Sequence, residues 1–209
     1  RLIPLGGAGD VTKNMYVYEF GRDIIIVDCG IGFPDESMPG VDLIIPDVSY
    51  LADKKERVLG IVITHAHEDH IGALGYILSQ IPAPVFATKL ACGLAREKLR
   101  EMRVPVKLHE LETLKPFRLG SFTIEAVHIT HSIPEAVNLS IKTKAAHVFH
   151  AADFKFDWTP VDGRPFDIAK AAQLASGGTL CVASDCLGAT TPGFTESEYA
   201  IEGRIEAVV

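Results

Sequence analysis

The chain has 209 residues, of which 47% are hydrophobic and 22% charged, with a formal net charge of -7 at pH 7. That length can bury a full core in one domain, and the composition is that of an ordinary folded protein, which excludes a disordered or low-complexity chain. The acidic balance argues against a general polyanion binder, although a local patch or bound dications govern a site more than net charge does.

In chain order, Leu2 to Leu5, Met15 to Phe20 and Ile24 to Cys29 are predicted as opening strands of an antiparallel sheet, with Gly21-Arg22-Asp23 as a hairpin turn. The start Arg1-Leu2-Ile3-Pro4 lacks the apolar region of a secretory signal, and no apolar run approaches the roughly 20 residues that cross a bilayer. Gly6, Gly7 and Gly9 are not followed by Gly-Lys-Ser or Gly-Lys-Thr, so a tight turn is expected there and not a phosphate loop. Asp28 closes the apolar run Ile24-Ile25-Ile26-Val27, either as a turn cap or as the acceptor for the N–H of a metal-bound imidazole. Cys29, Cys92, Cys181 and Cys186 form no close pair and are too sparse for a disulfide framework; they read as reduced, mostly buried thiols. Pro34 to Pro46 is a loop, and Val48 to Glu56 is predicted as a short helix.

Val58 to Ile63 reads as a buried strand emptying into Thr64-His65-Ala66-His67-Glu68-Asp69-His70, and Ile71 to Gln80 resumes at helical spacing. His65 and His67 are two positions apart, so on an extended segment they point to one side. Asp69 and His70 fall where the helix begins, where unpaired amides favour a carboxylate. Imidazole and carboxylate together suit zinc, and also manganese or iron.

A strand Val85 to Ala87 and a helix from Thr88, its N-cap, to about Met102 follow. Arg96, Arg100 and Arg103 form a basic stripe with Glu97 and Glu101 close by, a solvated face. Strands are expected near Val106 to Leu108 and Phe122 to Val127, with His109 an ordinary surface residue between them. His128-Ile129-Thr130-His131-Ser132 leaves the end of the second strand, and by chemistry alone either histidine suits a metal. Ala145 to Ala152 is another strand, ending in Asp153 and carrying His147 and His150 at core or rim positions. Residues 179 to 184 form a further apolar strand with Asp185 at its end, and Thr195 is the expected N-cap of a helix with an apolar stripe of Ile201, Ile205, Val208 and Val209.

His-x-His-x-Asp-His after a hydrophobic strand resembles the metallo-β-lactamase superfamily. Leu5-Gly6-Gly7-Ala8-Gly9, Lys13-Asn14-Met15, His67-Glu68-Asp69-His70-Ile71-Gly72-Ala73-Leu74, His131-Ser132-Ile133-Pro134 and Asp153-Phe154-Lys155-Phe156-Asp157 look like the ribonuclease J family within it. The resemblance implies an α/β fold of the αββα sandwich type: two mainly antiparallel sheets face to face, helices outside, and the site where strand ends meet. It implies that residues 1–195 are the N-terminal portion of the metallo-β-lactamase domain, and that 196–209 begin a helix leading toward a β-CASP domain, before which the chain is cut.

The same resemblance implies two divalent metal ions, zinc first and manganese as the alternative. His65, His67 and His131 would hold one and Asp69 and His70 the other, with Asp153 shared; the second ion is then short of a ligand that relatives supply from beyond the β-CASP domain. It selects His131 over His128, places Asp28 near the metals and Ser132 near a substrate phosphate, and gives Asp69, Asp153 and Asp185 catalytic parts. Asp185 would donate the proton, although the family's Ser-Thr-Asn after that aspartate is Cys186-Leu187-Gly188 here. The implied activity is hydrolysis of RNA phosphodiester bonds, endonucleolytic and 5′-to-3′ exonucleolytic, in RNA processing and decay. RNA is the implied partner, and relatives imply a homo-oligomer for the full-length protein; the sparse, reduced cysteines and the lack of a spanning run lead to the expectation of a cytoplasmic setting without a membrane. Two other readings stand beside it: a hydrolase of a small lactone, thioester or β-lactam, which the same ligands would serve, and a catalytically impaired metal-binding or scaffold subunit.

Overall fold

The computed structural model describes residues 1–184, 188, 190–194 and 196–207. Its first sheet runs β1 (Leu2–Gly6), β2 (Met15–Phe20), β3 (Asp23–Val27), β4 (Val58–Val62), β5 (Val85–Ala87) and β6 (Leu108–Glu110), in that spatial order. The second runs β7 (Phe117–Leu119), β8 (Phe122–His128), β9 (Val137–Lys142), β10 (His147–His150) and β11 (Cys181–Ala183). The helices are α1 (Glu68–Ile71), α2 (Leu74–Gln80), α3 (Lys89–Glu101), α4 (Ile168–Ala175) and α5 (Glu198–Glu206).

Side-chain alternation along β2 and β3 separates two cores. Met15, Val17, Ile24 and Ile26 pack against Leu74, Ile77 and Leu99 of the helices. Tyr16, Tyr18, Ile25 and Val27 meet Ile124, Ala126, Leu139 and Ile141 of the second sheet. A third cluster, with Val127, Phe149, Phe166, Ala171 and Leu174, seats α4 on the outside of that sheet. Helices, sheet, sheet and helix thus make the four layers of the αββα sandwich, and the period of two along each strand is what assigns residues to the two sides of a sheet.

Antiparallel pairing holds from β1 to β3 and from β7 to β10, but β3, β4, β5 and β6 pair parallel, as do β10 and β11. The first sheet is therefore mixed and not mainly antiparallel. The long connections after β3, β4 and β5 cross over and return the chain to the same end, which only parallel strands allow.

Other expectations change in detail. Val48 to Glu56 is not one helix but two 3-10 turns, Ser49–Leu51 and Lys55–Arg57. The Asp47 carboxylate accepts from the Ser49 amide at 2.8 Å, a local bond that competes with helical continuation. Thr88 stands at the N-cap of α3 without a capping bond; Glu135 Oε2 accepts the Leu90 amide at 2.7 Å instead. His109 lies within β6, stacked on Phe86 with ring centroids 4.8 Å apart, so it is not an ordinary surface residue. Cys29 and Cys92 are buried, whereas Cys181 is exposed. Helix α5 is capped by Ser197, two residues beyond the expected Thr195, which lies outside the described residues. Among the described residues no helix is long and apolar enough to cross a membrane.

Candidate metal centre

Parallel pairing of β3 with β4 brings two strand ends to one rim. Just past β3, Asp28 turns into the left-handed region at φ 61° and is fully buried. Its Oδ1 accepts the Thr64 amide at 2.8 Å, and its Oδ2 accepts the Thr64 hydroxyl at 2.8 Å and His70 Nδ1–H at 2.8 Å. With Nδ1 donating, Nε2 of His70 is left with its lone pair toward the centre.

The helix expected from Ile71 to Gln80 is divided at Gly72-Ala73, because the neighbouring loop uses its carbonyls. Asp69 O accepts from Asn14 N at 2.9 Å, His70 O from Cys29 N at 2.7 Å, and Ala73 N donates to Cys29 O at 2.9 Å. Gly30 permits this approach: a β-carbon there would lie 1.5 Å from Asp69 O. On the opposite side, an isolated bridge between Thr130 and Lys155, with Lys155 N to Thr130 O at 2.9 Å, draws the His131 loop to the Asp153 segment.

Two groups of ligand atoms result, His65 with His67 and His131, and His65 with His70 and Asp153, the atoms of each lying within 4.8 Å of one another. His67 Nδ1 is 3.1 Å from His65 Nε2 and 3.1 Å from His131 Nε2. Nitrogens bonded at about 2.0–2.1 Å to one tetrahedral ion stand roughly 3.3 Å apart, so the donor set fits a divalent cation in chemistry and in spacing. Asp153 Oδ2 lies 3.5 Å from His131 Nε2 and 3.9 Å from His70 Nε2, between the two groups. Asp69 Oδ2 lies 3.6 Å from His70 Nε2, beside the second group.

Burial, and then the neighbouring imidazoles, hold His65 well below the ordinary histidine pKa, and burial together with His67, His70 and Lys155 brings His131 down to about 3. His67 is lowered as well, chiefly by burial. Burial also acts to lower His70, but Asp28, Asp69 and Asp153 outweigh it and carry its pKa upward. Neutral imidazoles are the form that binds a cation.

The structure therefore gathers His65, His67, Asp69, His70, His131 and Asp153 at one rim, with Asp28 beneath His70. Ser132 is exposed beside His131, and Asp185 lies outside the described residues. His128 turns away, its Nε2 bonded to Arg164 O at 2.8 Å. His147 and His150 stay within the second sheet, bonded to Ser140 and Tyr18. Two residues at the centre carried no assigned contact in the sequence: Thr64, which holds Asp28, and Asn14, whose Nδ2 is 3.1 Å from His70 Nε2. Asn14 and His70 are 56 positions apart, so no local spacing reveals the contact.

Residues 8–165 match the family model of the metallo-beta-lactamase superfamily. The chain belongs to the metallo-β-lactamase superfamily. Within it, the chain is 39% identical over 213 residues to ribonuclease J of Synechocystis sp., covering 100% of this chain and 33% of that protein. It is 39% identical over 218 residues to ribonuclease J of Thermus thermophilus, with 100% and 38% covered. It is 41% identical over 206 residues to ribonuclease J of Helicobacter pylori, with 96% and 30% covered. The chain thus spans about a third of the length of these curated relatives. Among solved structures, zinc-bound PqqB from Methylobacterium extorquens matches with a TM-score of 0.56 at 12% identity, covering 88% of this chain and 70% of that one. A protein of unknown function from Enterococcus faecalis matches with a TM-score of 0.71 at 14% identity, over 99% and 56%. Membership implies divalent metal ions, which agrees with the donor set.

Proposed function

We propose that the chain carries the metal centre of a ribonuclease that hydrolyses RNA phosphodiester bonds, as an endonuclease and a 5′-to-3′ exonuclease in RNA processing and decay. One observation carries the reading: imidazoles and carboxylates from distant strand ends converge in a chain 39–41% identical to ribonuclease J of several bacteria. His65, His67 and His131 would hold one ion, Asp69 and His70 the second, with Asp153 between them and His65 close enough to serve either. Zinc is the first choice for so imidazole-rich a set, with manganese second.

Bound divalent ions supply Lewis acidity and a water of lowered pKa for in-line attack on phosphorus. The chain's own residues do the rest. Asp28 orients His70, and the Thr130–Lys155 bridge sets His131 against Asp153. Ser132 offers an exposed hydroxyl to a phosphate oxygen, and Asp185 is assigned the proton for the departing oxygen. The reading also has the full-length protein work in the cytoplasm as a homo-oligomer with RNA as its substrate.

The test compares a 5′-monophosphorylated RNA with a chromogenic β-lactam, each with and without chelator. Cleavage of the RNA alone, abolished by chelator, is expected. Turnover of the β-lactam with RNA untouched would move the protein to the small-molecule hydrolases, and no turnover of either would make it a metal-binding subunit.

A further inference from the structure

Asp157 is a buried carboxylate that the metal centre does not use, a few residues past Asp153. Its Oδ1 accepts the Thr159 amide at 3.0 Å and stands 3.0 Å from the Ser197 hydroxyl, and its Oδ2 accepts the Glu198 amide at 2.8 Å. Lys155 Nζ lies 3.5 Å from Oδ2 and 2.6 Å from Glu198 Oε1. These donors and the Lys155 cation offset what burial costs the charge. Ser197 and Glu198 begin α5, a helix in which no residue is buried. That helix already has a cap, since the Ser197 hydroxyl accepts the Tyr199 amide at 3.3 Å, so capping alone does not call for a buried carboxylate as well.

On its other side Asp157 is joined to the rim. Its amide donates to the Thr130 hydroxyl at 3.3 Å, that hydroxyl donates to Lys155 O at 2.5 Å, and Lys155 N donates to Thr130 O at 2.9 Å. Thr130 is buried and directly precedes His131. The strap 153–157 therefore carries an assigned ligand, Asp153, at one end and the anchor of α5 at the other, with Thr130 pinned across its middle.

We propose that Asp157 is a positioning residue for the metal centre: it fixes the strap that sets Asp153 against His131 and couples that setting to the docking of α5. The inference rests on Asp153 and His131 being ligands, as argued under the proposed function. Asp157 bonds to Thr159, Ser197 and Glu198 and not to the ligand atoms, so it shapes the site without competing for the ions. Groups that orient ligands in this way change metal affinity by about 10–100-fold when removed. Linkage is reciprocal, so docking of α5 and loading of the ions favour each other by the same factor.

Zinc titrations against a competing chelator compare the wild type with Asp157→Asn, Thr130→Val and the double variant. Asp157→Asn keeps the side chain's shape but removes its charge and turns an N–H toward the donors; Thr130→Val removes the hydroxyl. Each single variant should bind zinc roughly tenfold more weakly, and the double variant little more weakly than either, since both cut the same link. Hydrogen exchange then follows the α5 amides. In the wild type they should exchange more slowly with zinc than without, and in Thr130→Val, whose lost hydroxyl bonds to no residue of α5, that difference should vanish. Variants that bind zinc as tightly as wild type, or losses that simply add, overturn the inference and leave the metal centre standing. Exchange in α5 that is indifferent to zinc overturns it in the wild type alone, whether or not a variant folds. A wild type that binds no zinc removes Asp153 and His131 as ligands, and the inference with them.

Discussion

Asp28 has no exposed surface, a left-handed backbone and hydrogen bonds to Thr64 and His70, so nothing else in the fold can take its place. Asp28→Ala leaves those donors buried without an acceptor, and about 3 kcal/mol of stability should be lost, as read from urea unfolding. Metal affinity should fall by about 10–100-fold in the same variant, as read by titration. A pH effect belongs to His150, which is buried and whose pKa burial lowers to about 4. The unfolded chain takes up that proton below about pH 6.5 while the folded one does not, so stability falls as pH drops from there toward the folded value. His65, His67 and His131 act in the same direction; His70, with its raised pKa, opposes them. Metal-free protein should be less stable at pH 5 than at pH 7, on the order of 2 kcal/mol from His150 alone, and a higher urea midpoint at pH 5 would contradict this. Four of the assigned ligands, His65, His67, Asp69 and His70, were legible in the sequence, since they fall within six positions after a strand, whereas His131 and Asp153 were picked out only by resemblance. Asp28, 42 positions from His70, could be placed near the metals only by resemblance, and its contacts only by the structure.

Among elements, the short helix α1 is shaped from outside. Its Asp69 and His70 carbonyls bond to the Asn14 and Cys29 amides, and the absent side chain of Gly30 leaves room for them. Gly30→Ala should therefore cost about 2 kcal/mol or more and weaken metal binding, because backbone must move. Gly93 is the contrasting case: it lies inside α3 with nothing within 4 Å of a β-carbon, so Gly93→Ala should raise stability by about 0.5–1 kcal/mol. Paired thermal melts and metal titrations of the two variants check both signs. The alternating strand β8 and the apolar run of β2 were readable in the sequence. β7, β9 and α4 were not singled out, although Val137-Asn138-Leu139-Ser140-Ile141 alternates and Asp167 accepts the Lys170 amide as a helix cap at 3.1 Å. The break at Gly72-Ala73 follows from contacts with another segment, which helical spacing cannot register.

Over the whole molecule, the sandwich is set by three apolar clusters, and its metal-bearing rim by strands that end together. The four layers could be expected from the resemblance. The parallel half of the first sheet depends on where each crossover lands, and that is a property of the packed chain. What these layers accomplish is to bring β3, β4, β8 and β10 to one edge, where the residues that follow them meet. Anomalous scattering at the zinc edge, from crystals of zinc-loaded protein, tests this most directly. One peak is predicted among His65, His67 and His131, and a second against His70 and Asp153 with Asp69 beside it. A map with no peak at this rim, or with His131 and Asp153 turned to separate places, would contradict the account.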